Sequence, residues 1–181
     1  MAAQLGQEAV VKEPSCNMIK RLVFISLIAL STNGFGQPSI AEVLTKYNTH
    51  SVPYIEVEDL SQLETPPLLL DAREIAEFQV SHLNKAIHVG FEDFEISKII
   101  NLVQDKTKTI VVYCSIGVRS EKIGEKLIAE GFTAVYNLYG GIFEWVNSDK
   151  SVYCKSKQTP NVHAYSKTWG AYLLKGVKVY E

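Results

Sequence analysis

The sequence predicts an α/β fold: a mostly parallel five-stranded sheet with helices on both faces, preceded by a signal peptide. Three observations carry that reading. Between residues 52 and 149, five short apolar runs alternate with segments of helical spacing, which is the order of βαβ units. The runs Leu68–Leu70 and Ile110–Tyr113 are continuous rather than alternating, as in strands covered on both faces. Ahead of them lies a basic, then apolar, then small-residue stretch, the pattern of an export signal.

Taken in order, Met18-Ile19-Lys20-Arg21 precede nine uncharged residues, Leu22 to Leu30, and Gly34 and Gly36 stand at −3 and −1 before Gln37. The run falls short of the roughly 20 residues a membrane span needs, so cleavage is expected rather than stable membrane insertion. Residues 1–36 are thus read as a preface and a signal peptide starting from Met18, and the product as exported, periplasmic or extracellular. Cys16 would leave with that segment. In 37–51, Ile40, Val43, Leu44 and Tyr47 recur at helical spacing behind Pro38-Ser39, which predicts a short amphipathic helix. Strands are expected at Tyr54–Val57, Leu68–Leu70, Ile87–Val89, Ile110–Tyr113 and Ala134–Leu138. Helices are expected at Arg73–Phe78, Phe91–Val103, Arg119–Glu130 and Gly141–Val146. Residues 150–181 form an extension rich in aromatics, with His163, Tyr165, Trp169, Tyr172 and Tyr180. Packing onto the main body is the favoured role for these side chains, ahead of lining a site or holding a cofactor.

The chain has 181 residues, 46% hydrophobic and 21% charged. That suits one globular domain and excludes a disordered chain or a collagen-like repeat. Three cysteines cannot staple a disulfide miniprotein. Eighteen basic against twenty acidic side chains give a net charge of −2, without the basic excess of a nucleic-acid binder.

In open parallel sheets, ligands bind where strand carboxyl ends meet helix N-termini. The segment Ile110-Val111-Val112-Tyr113 runs into Cys114-Ser115-Ile116-Gly117-Val118-Arg119-Ser120 and then into a helix. The N–H groups of residues 115–119 can converge on the Cys114 sulfur, and the positive helix end favours an anion there. A thiol so placed loses its proton more readily than free cysteine. Gly117 permits the tight turn, and Arg119 offers a fork of donors to substrate oxygens. The implied chemistry is thiolate attack on an anionic substrate. Taken alone, Cys114 reads as a small buried hydrophobe; cysteine, glycine, arginine and serine in one strand-to-helix loop point to catalysis instead. No histidine has metal-ligand spacing with a cysteine or carboxylate, so no metal is expected.

This loop resembles the active-site loop of single-domain rhodaneses, and other blocks agree in order. Leu68-Leu69-Leu70-Asp71-Ala72-Arg73-Glu74 with Glu77-Phe78 is similar to the family's early strand and turn. Ser81-His82-Leu83-Asn84-Lys85-Ala86-Ile87 is similar to a degenerate form of its glycine- and proline-bearing turn. Val135-Tyr136-Asn137-Leu138-Tyr139-Gly140-Gly141-Ile142 with Trp145 resembles its closing strand and double glycine. The resemblance implies a rhodanese-like domain over 52–149 and a sulfurtransferase without a cofactor. Cys114 would attack a small sulfur-donor anion, thiosulfate or polysulfide, and hold the sulfur as a persulfide for a thiophilic acceptor. Cyanide, sulfite or a thiol, protein thiols included, would fill that role. Ser115, Ile116, Gly117, Val118, Arg119 and Ser120 would bind substrate, with Asp71 and Arg73 as structural supports.

Two alternatives carry different chemistry. A cysteine phosphatase or arsenate reductase is disfavoured because four residues separate Cys114 from Arg119, whereas the phosphatase loop of this fold resembles one with five. A non-catalytic binding module is disfavoured because the cysteine is retained. Cys154 lies 40 residues beyond Cys114 and is read as incidental rather than as a redox partner.

Overall fold

The strand β4, Ile110–Tyr113, is buried at all four positions and occupies the centre of the sheet. In this computed structural model, which describes residues 37–180, it pairs in parallel with β2, Leu68–Asp71, and with β5, Val135–Leu138. The outer strands are β1, Tyr54–Ile55, beside β5, and β3, Ile87–His88, beside β2. The order is therefore β1-β5-β4-β2-β3. The signal peptide and Cys16 lie outside the described residues.

Alternate residues of β4 enter two different cores, as the period of a strand requires. Val111 and Tyr113 join Val43, Leu138, Ile142 and Phe143. Ile110 and Val112 join Ile99, Ile123, Leu127 and Phe132. The helices sort accordingly: α1, Ile40–Tyr47, α2, Val57–Gln62, and α6, Gly141–Asn147, cover the first face. The second face is covered by α4, Ile96–Leu102, and α5, Val118–Ala129. Ile123 and Leu127 are completely buried, and each such side chain contributes about 1.5–3 kcal/mol relative to exposure. α1 is fixed at its start by a capping box: Ser39 Oγ accepts the Glu42 N–H at 3.2 Å, and the Glu42 carboxylate accepts the Ser39 N–H at 2.7 Å.

Several boundaries differ from expectation for identifiable reasons. Val57 opens α2 instead of extending β1; Glu58 and Asp59 favour the helix N-terminus, and Val57 and Leu60 bury one face. Arg73 lies before α3, which spans Ile75–Val80, because a capping box between Glu74 and Glu77 sets the start. The helix expected from Phe91 begins at Ile96, after a turn that follows Gly90 at φ 69°. In the degenerate turn, Lys85 takes a left-handed φ of 61°, a conformation glycine adopts at less cost.

The extension contains short strands that its polar sequence hides. β6, Val152–Cys154, and β7, Lys157–Thr159, form an antiparallel hairpin turned at Lys155 and Ser156, both with positive φ. β8, Asn161–His163, pairs in parallel with β9, Val177–Val179, around a 3-10 turn at Trp169–Tyr172. Val162, Ala164, Tyr172 and Leu173 enter the first core. Among the described residues, no helix is long and apolar enough to cross a membrane.

Candidate active site

Cys114 follows β4 directly, and Gly117, at φ 111°, caps the N-terminus of the twelve-residue α5. Cys114 is almost fully buried, at 1% exposure, so its sulfur answers to protein donors rather than to bulk water. Those donors are fewer than the expected ring of amides. The Gly117 N–H donates to Sγ at 3.2 Å, and the Ser120 hydroxyl stands 3.6 Å from it.

The end of α1 and the strand β5 hold this loop in shape. The side-chain amides of Asn48 and Asn137 both donate to the Gly117 carbonyl, at 2.9 and 2.8 Å. Asn137 Oδ1 in turn accepts the Ser120 hydroxyl at 2.7 Å. From the other side, the Ile142 and Phe143 N–H groups at the start of α6 donate to the Cys114 and Ser115 carbonyls, at 2.9 and 3.1 Å. That approach requires Gly141, because a Cβ there would run into the Cys114 carbonyl oxygen and its φ is 56°. The double glycine of the sequence is thus a clamp on the loop.

Arg119 does not present a free fork to the site. Its Nη1 and Nη2 bind the two Glu77 carboxylate oxygens at 2.7 and 2.9 Å, and Nη2 also reaches Ser115 Oγ at 3.0 Å. The Ser115 hydroxyl donates to Glu77 Oε1 at 3.0 Å. The Glu77 side chain is 2% exposed, and its partnership was invisible because a glutamate on a short helix reads as surface. Asp71 and Arg73 lie behind the strand ends, with side chains fully buried and paired at 2.6 Å. Arg73 Nη2 also donates to the Ser81 carbonyl at 2.6 Å, and its guanidinium lies 5.8 Å from the Tyr113 ring centre. Neither takes part in the sulfur's own hydrogen bonds.

Burial pushes the Cys114 thiol up. Arg119, the Ser120 hydroxyl and the N–H groups of Ser120 and Gly117 outweigh it and hold the thiol below its ordinary value. A folded value below the unfolded one stabilises the fold at high pH and is lost as pH falls through the folded value. Alkylation of Cys114 by iodoacetamide is therefore expected to reach half-maximal rate at lower pH in the folded protein than in urea. Ser120→Ala is expected to move that midpoint up by less than about one pH unit, since a full charged hydrogen bond is worth roughly 1.5–3 kcal/mol and this hydroxyl shares its one proton between Sγ and Asn137 Oδ1. Peptide mass analysis separates Cys114 from Cys154; an unmoved midpoint would remove Ser120 from the account.

A pocket of about 220 Å³ opens on Cys114, lined by Ser115, Ile116, Val118 and Arg119 of the loop and by Tyr47, Tyr165 and Trp169. Of the extension's aromatics, Tyr172 enters the first core and Trp169 packs against it, while Trp169 and Tyr165 also line the site. The Tyr165 ring centre is 5.0 Å from the Arg119 guanidinium. His163 is nearly buried, and burial holds its imidazole below the ordinary value. Cys114 and Cys154 are both free thiols. Among the described residues, no three His, Cys, Asp or Glu side chains gather as a metal site.

A fully parallel sheet whose central strand delivers a thiol into the mouth of a strand-to-helix loop defines a cysteine-bearing α/β domain. The chain belongs to the rhodanese-like domain family, whose model matches residues 56–148. It is 32% identical over 106 residues to the tRNA uridine(34) hydroxylase of Hamiltonella defensa subsp. Acyrthosiphon pisum (strain 5AT), covering 56% of this chain and 30% of that protein. The chain thus spans under a third of that relative's length. Among solved structures, a rhodanese-related protein from Thermoplasma volcanium matches with a TM-score of 0.50 at 23% identity, covering 57% of this chain and 99% of that one. A thiosulfate sulfurtransferase from Pseudomonas aeruginosa matches with a TM-score of 0.53 at 20% identity, covering 67% and 23%. At such identities these two likenesses concern the fold.

Proposed function

We propose that this chain is an exported sulfurtransferase, moving sulfane sulfur from thiosulfate or a polysulfide through a Cys114 persulfide to cyanide, sulfite or a thiol. The observation that carries the reading is the buried Cys114 sulfur, held below its ordinary pKa at the head of α5. In the first step the thiolate attacks the outer sulfur of thiosulfate. The Sγ–S bond forms, the S–S bond of the donor breaks, and its electron pair leaves with sulfite. In the second, the acceptor attacks the outer persulfide sulfur; cyanide departs as thiocyanate and the thiolate returns. The Gly117 N–H and Ser120 hydroxyl stabilise the anion on either side of the exchange. Neither step uses a metal or cofactor.

Phosphate-ester chemistry fits less well, because the Arg119 fork that would bind a phosphate is engaged with Glu77. The tRNA in the relatives' name is not carried over: a net charge of −2 offers no excess of cations for a polyanion.

Intact mass after incubation with thiosulfate or polysulfide tests the proposal. The protein is expected to gain one sulfur atom, to lose it to cyanide as thiocyanate, and to gain none as Cys114→Ser. A folded protein that takes sulfur from neither of these donors nor from an organic thiosulfonate overturns the reading, as does a phosphatase activity abolished by Cys114→Ser in a protein that transfers no sulfur to cyanide. The export component is tested by the N-terminus of the mature protein, expected at Gln37.

A further inference from the structure

We infer that the donor is an organic sulfane-sulfur monoanion with an apolar body about the size of an aromatic ring, such as an aryl thiosulfonate or an organic persulfide. This rests on the sulfur-transfer reading and narrows its donor. Three features of the pocket over Cys114 lead to it.

The first is the source of the walls. Tyr47 comes from α1, and Tyr165 and Trp169 from the extension, all outside the 56–148 family match. Tyr47 and Trp169 meet edge to face at 6.1 Å, and Trp169 in turn lies 6.0 Å from Tyr172, whose side chain is in the core. The walls are therefore braced. The second is size: an apolar cavity of roughly 150 Å³ accepts a benzene ring, and this pocket holds about 220 Å³.

The third is charge. Among the described residues that line the pocket, Arg119 is the one charged side chain, and Glu77 neutralises it through two hydrogen bonds. A dianion such as thiosulfate would give up water for aromatic faces without an unpaired cation, which is costly. A monoanion places its single charge on the sulfane sulfur, beside the Gly117 N–H and the start of α5, and lays its organic part on Tyr47, Trp169, Ile116 and Val118. With a thiosulfonate the Sγ–S bond forms and the S–SO2 bond breaks, its electron pair leaving on the sulfinate. With a persulfide the pair leaves on the organic thiolate, which takes a proton from water.

The test compares benzenethiosulfonate with methanethiosulfonate, which share charge and leaving-group type, and with thiosulfate, reading thiocyanate formed from cyanide. Each kcat/KM is divided by the rate of the same donor with a free thiol in solution. The phenyl donor is expected to exceed the methyl donor by about tenfold, the scale of discrimination by an apolar pocket, with thiosulfate lowest. Trp169→Ala and Tyr47→Ala are each expected to bring the phenyl-to-methyl ratio toward one. Tyr47 is 48% exposed, so its truncation probes the wall even where Trp169→Ala fails to fold. A ratio near one in the unaltered protein, or a ratio that neither variant changes, overturns this inference while sulfur loading of Cys114 stands. Loading by none of the three donors overturns the sulfurtransferase reading itself.

Discussion

Asp71→Ala is expected to destabilise the fold by about 3–5 kcal/mol, the cost of leaving one partner of a buried ion pair alone. Asp71 and Arg73 are both inaccessible to solvent, and the aspartate accepts Arg73 N–H groups from side chain and backbone at 2.6 to 3.2 Å. Within the guanidinium, Nη1 already has no hydrogen-bond partner, so little remains to compensate a missing carboxylate. Burial works against the charge on Arg73, and Asp71 is what overcomes it and holds the guanidinium above its ordinary value. Urea denaturation should show the loss as a lower midpoint with unchanged slope. The double variant Asp71→Ala/Arg73→Met should recover part of it, because removing both charges leaves none stranded. A single variant with no loss, or a double variant worse than the single, would contradict this account of the pair.

That pair also shows what the sequence makes legible and what it conceals. Val111, Val112 and Tyr113 form a run that only a central strand can bury, so β4 and the loop after it follow from pattern alone. Gly117 and the Gly140-Gly141 pair are similarly readable, because few side chains tolerate those backbones. Glu77 is different. A charged residue on a short helix is ordinary on a surface, and only the third dimension brings Arg119 and Ser115 against it across 42 and 38 positions of chain. The same holds for Tyr165 and Trp169, whose place over Cys114 depends on β8 and β9. Those strands have three residues each, with exposed Asn161 and Lys178, too short and too polar for a period-two pattern to mark them. Local chemistry was readable where the backbone dictates the residue. Partnerships made between distant segments were not.

Glu77→Gln is expected to weaken the fold by about 3–5 kcal/mol and to change the charge that Cys114 feels. Four donors converge on this one carboxylate: Arg119 Nη1 and Nη2, the Ser115 hydroxyl and the Glu74 N–H, at 2.7 to 3.0 Å. A carboxylate can accept all of them, whereas a glutamine must aim an NH2 group at donors on one side. Burial raises the Glu77 carboxyl, but Arg119, Arg73 and the Glu74 N–H outweigh that and hold it below the ordinary carboxylate value. Because the folded value is lowered, its contribution is present above the ordinary carboxylate range and fades as pH falls through the folded value. The stability gap between the unaltered protein and Glu77→Gln should therefore narrow in acid and stay constant at neutral pH. At the site, the Arg119 charge loses its counterion while remaining beside the sulfur. The half-maximal pH for Cys114 alkylation should fall, and thiosulfate should gain on benzenethiosulfonate because an unpaired cation now faces the pocket. Denaturation at pH 7 and pH 3, alkylation rates and the two kcat/KM values measure each part. A gap that persists unchanged in acid would show that the pair is not electrostatic in origin. An unmoved thiol and donor ratio would show that Glu77 does not screen Arg119 from the site.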